Sequence, residues 1–298
     1  MASSLPALPR AAALAALTSL THGCWFDTDR DLVASYRQDL DAATLSSLRL
    51  DVGDGELDVE GVDGLDQIQV DVDLYTQGRE RRAEESLRFE LVPTQGGEAR
   101  LTVRFDDPPV NTSADVRVRL PARLGVTGED GDGAAFLRHI ARLDLRDGDG
   151  SLEVSDVAED AFIDDGDGSM LLLDIAGDVA LIDGDGRVDV RSVGSLSLTD
   201  GEGHLDLRDI AGDVTLRDGD GQIRLEDVGG DVDLEDGEGS IEVVDVAGSV
   251  RIVDGDGDIH LERISGEASV DDGDGDIFAR DVGALTIVAD GGGRVIER

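Results

Sequence analysis

The sequence predicts an all-β protein: a parallel β-solenoid (β-helix) with coils of about 18 residues, preceded by an antiparallel β capping layer. Three observations support this fold class. A short motif recurs at nearly constant spacing, aliphatic residues alternate around it, and glycines stand where a coil must turn. Coils of this kind bury a core only when they are stacked, so we expect one continuous apolar interior.

The motif Asp-Gly-(Asp/Glu)-Gly sets the length of the repeat. Seven of the nine spacings along the series are 18 residues and two are 17. Glycine at the second and fourth positions tolerates the positive φ angles of a sharp corner. A degenerate copy, Asp-Gly-Gly-Gly, ends the series at Asp290. The complete copies begin at Asp130, Asp147, Asp165, Asp183, Asp200, Asp218, Asp236, Asp254 and Asp272.

Aliphatic residues occupy fixed positions in each repeat when it is counted from the first aspartate: 6 and 8, then 11, then 15 and 17. Alternation with a period of two predicts short strands with one buried face, and the Val and Ile of these columns favour strands. Each repeat therefore predicts two strands and two corners. In the repeat that begins at Asp218, the residues predicted to point inward are Ile223, Leu225, Val228, Val232 and Leu234, and those predicted to point outward are Arg224, Glu226 and Asp233.

The chain before the repeats is predicted to have a different organisation. Residues 46–129 show strand-like alternation without the 18-residue spacing, which predicts a β capping region that protects one end of the solenoid from pairing with another chain. Residues 24–45 are predicted to form a tether or a short helix. Residues 130–298 are the predicted solenoid.

The N-terminus resembles a signal peptide that spans residues 1–23. An apolar stretch at residues 11–20 follows Arg10 and is too short to span a bilayer. The Gly-Cys pair that ends at Cys24 resembles the lipobox of bacterial lipoproteins, in which the cysteine is lipidated; Thr21 stands where that motif favours Leu. A plain secretory signal is the alternative. Because Cys24 is the single cysteine, no intramolecular disulfide can form.

The chain is strongly acidic. It has 68 acidic and 26 basic residues, all of the latter arginine, and a formal net charge of -42 at pH 7. Nucleic acid is not expected as a partner because phosphate binding needs a cationic surface. Membrane contact is expected only through a lipid anchor. The expected location is the cell envelope, anchored to the outer membrane and facing the periplasm or the surface; without the anchor, the protein is expected to be secreted or periplasmic.

Two further motifs accompany the repeats, namely Gly-Asp-Gly-Glu-Leu-Asp-Val at residues 53–59 and Val-Arg-Val-Arg-Leu-Pro at residues 116–121. With them, the chain over residues 45–298 resembles the bacterial putative adhesins, a family of secreted or lipid-anchored β-strand-repeat proteins whose function is largely unassigned. These motifs are structural. The resemblance therefore implies a fold and, less specifically, a role at the cell envelope.

The acidic corners have more than one interpretation. Stacked coils place equivalent carboxylates about 5 Å apart, and calcium prefers several oxygen ligands, so Ca²⁺ is a candidate cofactor. Alternatively, each first aspartate makes an Asx-type turn with its own backbone, or the corners attract counter-ions diffusely. The candidate calcium ligands are Asp218, Asp236, Asp254 and Asp272.

A second acidic column, at position 10 of the repeat, directly precedes a predicted inward residue. Aspartate is common at turns because its side chain bonds to nearby backbone. We predict that this column forms the second corner of the coil. Its members are Asp156, Asp174, Asp209, Asp227, Asp245 and Asp281.

The sequence favours a non-enzymatic structural or adhesive module of the cell envelope, whose partner is an unidentified protein or envelope polymer. One alternative is a periplasmic sensing or binding component that uses the N-terminal β layer; another is a calcium-binding solenoid. A β-helical polysaccharide-active enzyme is disfavoured because the repeats between Asp147 and Asp290 vary by at most one residue, which leaves no room for a cleft. No catalytic residue is predicted.

Overall fold

A computed structural model describes residues 31–298 of the chain. The predicted signal segment 1–23 and the predicted lipidation site Cys24 lie outside the described residues, as does the first part of the predicted tether. The described part is nearly all β, with a parallel β-solenoid of about ten turns and coils of about 18 residues. The predicted fold class is confirmed. No helix within residues 31–298 is long and apolar enough to cross a membrane.

The elements before the regular coils are strands with one short helix among them. They are β1 (Asp31–Asp41), β2 (Ser47–Val52), β3 (Gly55–Val62), β4 (Gln67–Thr76), α1 (Glu80–Ser86), β5 (Leu87–Pro93), β6 (Glu98–Phe105) and β7 (Thr112–Pro121).

The regular coils alternate a short strand with a long one. They comprise β8 (Gly125–Glu129), β9 (Gly133–Ile140), β10 (Leu143–Arg146), β11 (Gly150–Val157), β12 (Ala161–Asp164), β13 (Gly168–Ile175), β14 (Val179–Ile182), β15 (Asp185–Val193), β16 (Leu196–Thr199), β17 (Glu202–Ile210), β18 (Val214–Arg217), β19 (Asp220–Val228), β20 (Val232–Glu235), β21 (Glu238–Val246), β22 (Val250–Val253), β23 (Asp256–Asp274), β24 (Ile277–Gly292) and β25 (Val295–Glu297).

Equivalent strands of successive coils pair in parallel, in a register of one repeat. In the long strands, Leu207 of β17 lies opposite Leu225 of β19; in the short strands, Leu216 of β18 lies opposite Leu234 of β20. The aliphatic positions therefore stack into columns. Those predicted to point inward in the repeat from Asp218 are at most 2% exposed, which confirms the predicted register.

The first coils of the solenoid come from the region predicted to be an antiparallel cap. β2 pairs in parallel with β8, and β3 with β9. β6 and β7 then add a further parallel coil on the opposite side of β2 and β3. Antiparallel pairing in residues 31–129 is limited to β1 with β4, β4 with β7, and β5 with β6. The predicted antiparallel layer is therefore wrong for β2 and β3, which pair only in parallel, whereas β6 and β7 pair in parallel with the solenoid on one side and antiparallel with β5 and β4 on the other.

The physical reason is visible in the corner between β2 and β3. Gly55 has φ +147° and pairs with Gly133 of the first complete motif, so the sequence Gly-Asp-Gly at residues 53–55 forms the same corner as the later repeats. Leu57 and Val59, like the inward residues of later long strands, are fully buried. These residues therefore form a coil of the solenoid, although the next motif does not follow them at the spacing of the later repeats.

Residues 31–41, predicted to belong to a tether or short helix, form strand β1 instead. β1 runs antiparallel to β4, with Tyr36 opposite Val72 and Leu40 opposite Ile68. Tyr36 and Leu40 pack against the core, because alternate residues of the strand face it. β1, β4 and β5 thus cover the N-terminal end of the solenoid.

Candidate functional site

The first aspartates of the nine motifs form a buried column along one corner of the solenoid, which we name the corner column. Seven of its members are between 3 and 9% exposed, and Asp147 and Asp218 are half-buried. Aspartate is seldom buried unless it is paired, so the partners of these carboxyl groups decide their role. The column consists of Asp130, Asp147, Asp165, Asp183, Asp200, Asp218, Asp236, Asp254 and Asp272.

Two members of the corner column bond to the adjacent backbone. Oδ1 of Asp218 accepts a hydrogen bond of 2.9 Å from the backbone N–H of Gly219, and Oδ1 of Asp236 accepts one of 2.9 Å from Gly237. The donor belongs to the next residue, whereas an Asx turn uses the residue two positions on. In these two aspartates a bond to backbone is present, but its geometry differs from that of the predicted Asx turn.

Several carboxyl oxygens of the corner column are buried and meet no hydrogen-bond donor. A buried carboxylate without such a partner is strongly disfavoured. The oxygens concerned are both of Asp200 and Asp254, Oδ1 of Asp130, Asp147 and Asp165, and Oδ2 of Asp218 and Asp236.

Burial raises the pKa of the corner carboxyl groups from Asp130 to Asp254 above the ordinary value of an aspartate. Desolvation is the largest cause for each of these eight. Neighbouring carboxylates of the column raise the pKa further at alternate members, and the N–H of the following glycine opposes the change. The pKa is about 8 for Asp147, about 7 for Asp130, Asp183, Asp218 and Asp254, and about 6 for Asp165.

The last glycine of the motif permits the corner to stack. At Gly221, with φ +151°, a Cβ atom would lie 2.1 Å from the carbonyl oxygen of Gly203 in the preceding coil. At Gly239 the corresponding distance to Gly221 is 1.8 Å. Both the backbone angle and the space exclude a side chain, so this glycine fixes how closely successive corners approach.

Other carboxylates of the coil are satisfied by backbone. Oδ1 of Asp160 accepts a hydrogen bond from the N–H of Asp178, at 3.1 Å, and Oδ1 of Asp231 accepts one from Ser249, at 2.7 Å. In each pair the donor lies at the equivalent position of the next coil. These carboxylates tie one coil to the next, which is a structural role.

The column at position 10 forms the second corner, as predicted. Its six aspartates adopt left-handed backbone angles, with φ between 55 and 60°. Aspartate and asparagine tolerate this region better than other residues with a side chain. At this corner an ion pair also joins two neighbouring coils, with hydrogen bonds of 2.5 and 2.6 Å from Arg263 to Asp245.

Calcium binding by Asp218, Asp236, Asp254 and Asp272 stays a prediction. The structure places all four in the corner column. Within the described residues, no group of three or more His, Cys, Asp or Glu side chains is arranged to hold a metal ion. The corner geometry therefore supplies a row of carboxyl groups and not a multidentate cage of the kind that calcium prefers.

Arginines cross-link the outer surface of successive coils. Arg224 donates hydrogen bonds to Glu242 of the next coil at 2.5 Å and to Glu226 of its own strand at 3.0 Å. Arg251 pairs with Asp233 of the preceding coil at 2.8 Å. Part of the negative charge is thus balanced across coils.

A shallow open groove of about 470 Å³ runs along the outer face of the short strands β10, β12, β14, β16 and β18. Its floor is formed by the outward side chains of Phe162, Ala180, Ser197 and Thr215. Each coil contributes one residue to the floor, so the groove follows the direction in which coils are stacked. It lacks the enclosure that small-molecule sites usually have.

Comparison with known proteins identifies similar folds at low identity. No family model and no curated protein matches the chain. A solved structure of a putative adhesin from Parabacteroides merdae aligns with 91% of this chain and 97% of its own, at 12% identity and a TM-score of 0.37. One from Bacteroides fragilis covers 89% and 97%, at 12% identity and a TM-score of 0.32.

A putative cell adhesion protein from Clostridium sporogenes aligns with 85% of this chain and 97% of its own, at 9% identity and a TM-score of 0.23. These structures carry the family name that the sequence motifs suggested. At such TM-scores they carry no argument about function, which has to come from the residues of this chain.

Proposed function

We propose that the protein is a rigid, non-enzymatic rod of the bacterial cell envelope that acts as a structural or adhesive surface module. The observation that carries this proposal is the uniformity of the coils. From Asp147 to Asp272, successive turns repeat the same pair of strands in the same register. A regular outer surface of this kind offers repeated contacts along its length.

Rigidity supports the proposal. The inward columns form one continuous core that extends from the N-terminal coils to Ile277 and Ala279. Backbone ladders join every pair of neighbouring coils, and carboxylate bonds to the next coil and arginine cross-links add to them at several pairs. A stack of this kind is stiff along its axis, because each coil contacts its neighbours over its whole perimeter.

The repeated surface suits a polymeric or multivalent partner. Equivalent outward side chains recur about every 4.8 Å along the rod, so a contact that is weak in one coil is available again in the next. Several weak contacts on one rigid support raise the overall affinity by effective concentration. An envelope polymer or a surface protein with extended segments fits such an array, and the open groove gives it one place to lie.

Attachment through Cys24 completes the proposal. A lipid at this residue supplies membrane affinity that the acidic body lacks. Residues 25–30 then separate the anchor from β1, the first strand of the folded part.

The proposal is tested by shortening the rod without disturbing its ends. Deletion of residues 200–235 removes the two coils that contain β17 to β20 and joins Thr199 to Asp236 in the register that Thr199 has with Asp200. Beads coated with residues 25–298 are perfused over immobilised envelope fragments, and their retention under shear is measured. We expect fewer beads to be retained after the deletion, because fewer repeated contacts are available.

A matched control changes the N-terminal layer and leaves the coils intact. Ser35→Ala with Arg37→Ala alters the outward face of β1, where Ser35 bonds to Asp73. The rod proposal expects the retention of this variant to equal that of the original chain. Full retention by the shortened rod, together with loss in the β1 variant, would instead assign partner binding to the N-terminal layer.

A further inference from the structure

Successive members of the corner column are close enough to bond to one another. The carboxyl groups of Asp183 and Asp218 each lie within hydrogen-bonding reach of Asp200. An ionised carboxylate has only acceptor oxygens, so two of them in contact repel. The contact becomes favourable when one partner carries a proton and donates it to the other. Neither oxygen of Asp200 has a hydrogen bond of ordinary geometry to another group, although the N–H of Gly201 is near enough to lower its pKa.

The surroundings of the column offer little positive charge. Apart from the column itself, the charged groups that most affect its members are acidic, except for Arg104 beside Asp130. Protonation therefore relieves a repulsion that the described side chains leave largely unbalanced. The acidic neighbours are Asp54, Asp132, Asp149, Asp164, Asp167, Asp185, Asp220 and Asp256.

We propose that the corner column is a proton-binding site, in which about one proton for every two coils is shared in a hydrogen bond between the carboxyl groups of neighbouring coils. Asp183 and Asp218 act as donors to Asp200, which lies between them. The same alternation places donors at Asp147 and Asp254. The protons belong to the column as a coupled system rather than to single residues.

The raised pKa values give the pH range in which this site empties. A carboxyl group whose pKa is higher in the folded than in the unfolded protein binds more protons when folded. Its contribution to stability is therefore full below the ordinary aspartate pKa of about 4. That contribution is lost as the pH rises through the folded value, about 7 for Asp183, Asp218 and Asp254. The corner column should thus weaken the solenoid above neutral pH.

The test compares two pairs of substitutions, each of which replaces two aspartates of the same stretch of coils by asparagine. Asp183→Asn with Asp218→Asn replaces both proposed donors. The amide has nearly the same shape, and its N–H group can donate to Asp200 at any pH because it does not titrate. Asp209→Asn with Asp227→Asn is the control, at exposed corners where asparagine tolerates the left-handed backbone. The full mature chain is used, and two quantities are measured from about pH 5 to about pH 9: the melting temperature and the infrared carbonyl band of protonated carboxyl groups.

We expect the original chain and the control pair to show the carboxyl band at pH 6, to lose it near pH 7 to 8, and to melt at a lower temperature as it disappears. The pair at 183 and 218 should show a weaker band and a smaller fall in melting temperature with pH. The same band and the same pH dependence in all three proteins would overturn the proposal. A missing carboxyl band at pH 6, together with a saturable, calcium-specific rise in melting temperature, would assign the column to a metal ion and would also overturn it.

Discussion

Replacement of Gly221 by alanine tests the close stacking of the corners most directly. The added Cβ would lie 2.1 Å from the carbonyl oxygen of Gly203, more than an ångström inside the 3.4 Å of ordinary van der Waals contact. To relieve this overlap, the two corners must separate locally. The adjacent hydrogen bonds from Gly219 and Asp220 to the carbonyl of Gly201, at 3.1 and 3.2 Å, are already long and would be lost.

The expected cost follows from these changes. Two lost backbone hydrogen bonds cost about 1 kcal/mol each, and an alanine held at φ +151° adds about 1 to 3 kcal/mol of backbone strain. We therefore expect Gly221→Ala to lower the free energy of unfolding by about 3 to 5 kcal/mol. The measurement is a urea titration followed by far-ultraviolet circular dichroism.

Gly96→Ala is the matched control for this substitution. Gly96 also has a positive φ, +87°, but a Cβ there would meet nothing within 4 Å. Its cost should be limited to the backbone conformation, about 1 to 2 kcal/mol. If both alanine variants shift the urea midpoint equally, the argument from close coil stacking is refuted.

Three further outcomes are expected. Leu225→Asp places a charge in a core position that is 0% exposed and should lower the free energy of unfolding by about 3 to 5 kcal/mol. The control Gln222→Asp, at an exposed position on the same strand, should change it by about 0.5 kcal/mol or less. Equal shifts in melting temperature would contradict the register. Cys24→Ser should move the protein from the membrane pellet to the soluble fraction, and its retention in the pellet would exclude the lipid anchor. The melting temperature at pH 8 should rise with sodium chloride because screening reduces self-repulsion at a formal charge of -42, and a melting temperature that is independent of salt would contradict this.

The repeats could be predicted from the sequence almost residue by residue. The period-two pattern specifies which face of each strand is buried, and the identical spacing specifies which coil lies next to which. Both pieces of information are local or nearly so, and Ile223 and Leu225 are buried as expected. Arg224 was predicted only to point outward; its ion pair with Glu242 depends on the neighbouring coil and could not be predicted from its own strand.

The N-terminal coils could not be predicted in the same way. β2 and β3 belong to the solenoid and stack on β8 and β9. In the chain, however, the elements from β4 to β7 separate these two pairs of strands. The spacing that reveals the later repeats is therefore absent, although Gly55 turns the same corner as Gly133. β1 has the alternation of a strand at Tyr36 and Leu40, yet its partner β4 follows only after the intervening coil.

The partners of the carboxyl groups could not be predicted from the sequence either, because they depend on where the coil places each group. Position 14 binds backbone N–H groups of the next coil, as in Asp160 and Asp231. Outward residues such as Glu242 meet arginine. The first aspartate of each motif is different, because stacking buries it beside copies of itself. The composition indicates a polyanion that repels itself over its whole surface. In the structure, the carboxyl groups that lack a partner lie mainly in the corner column, where the proposed protons would reduce their repulsion.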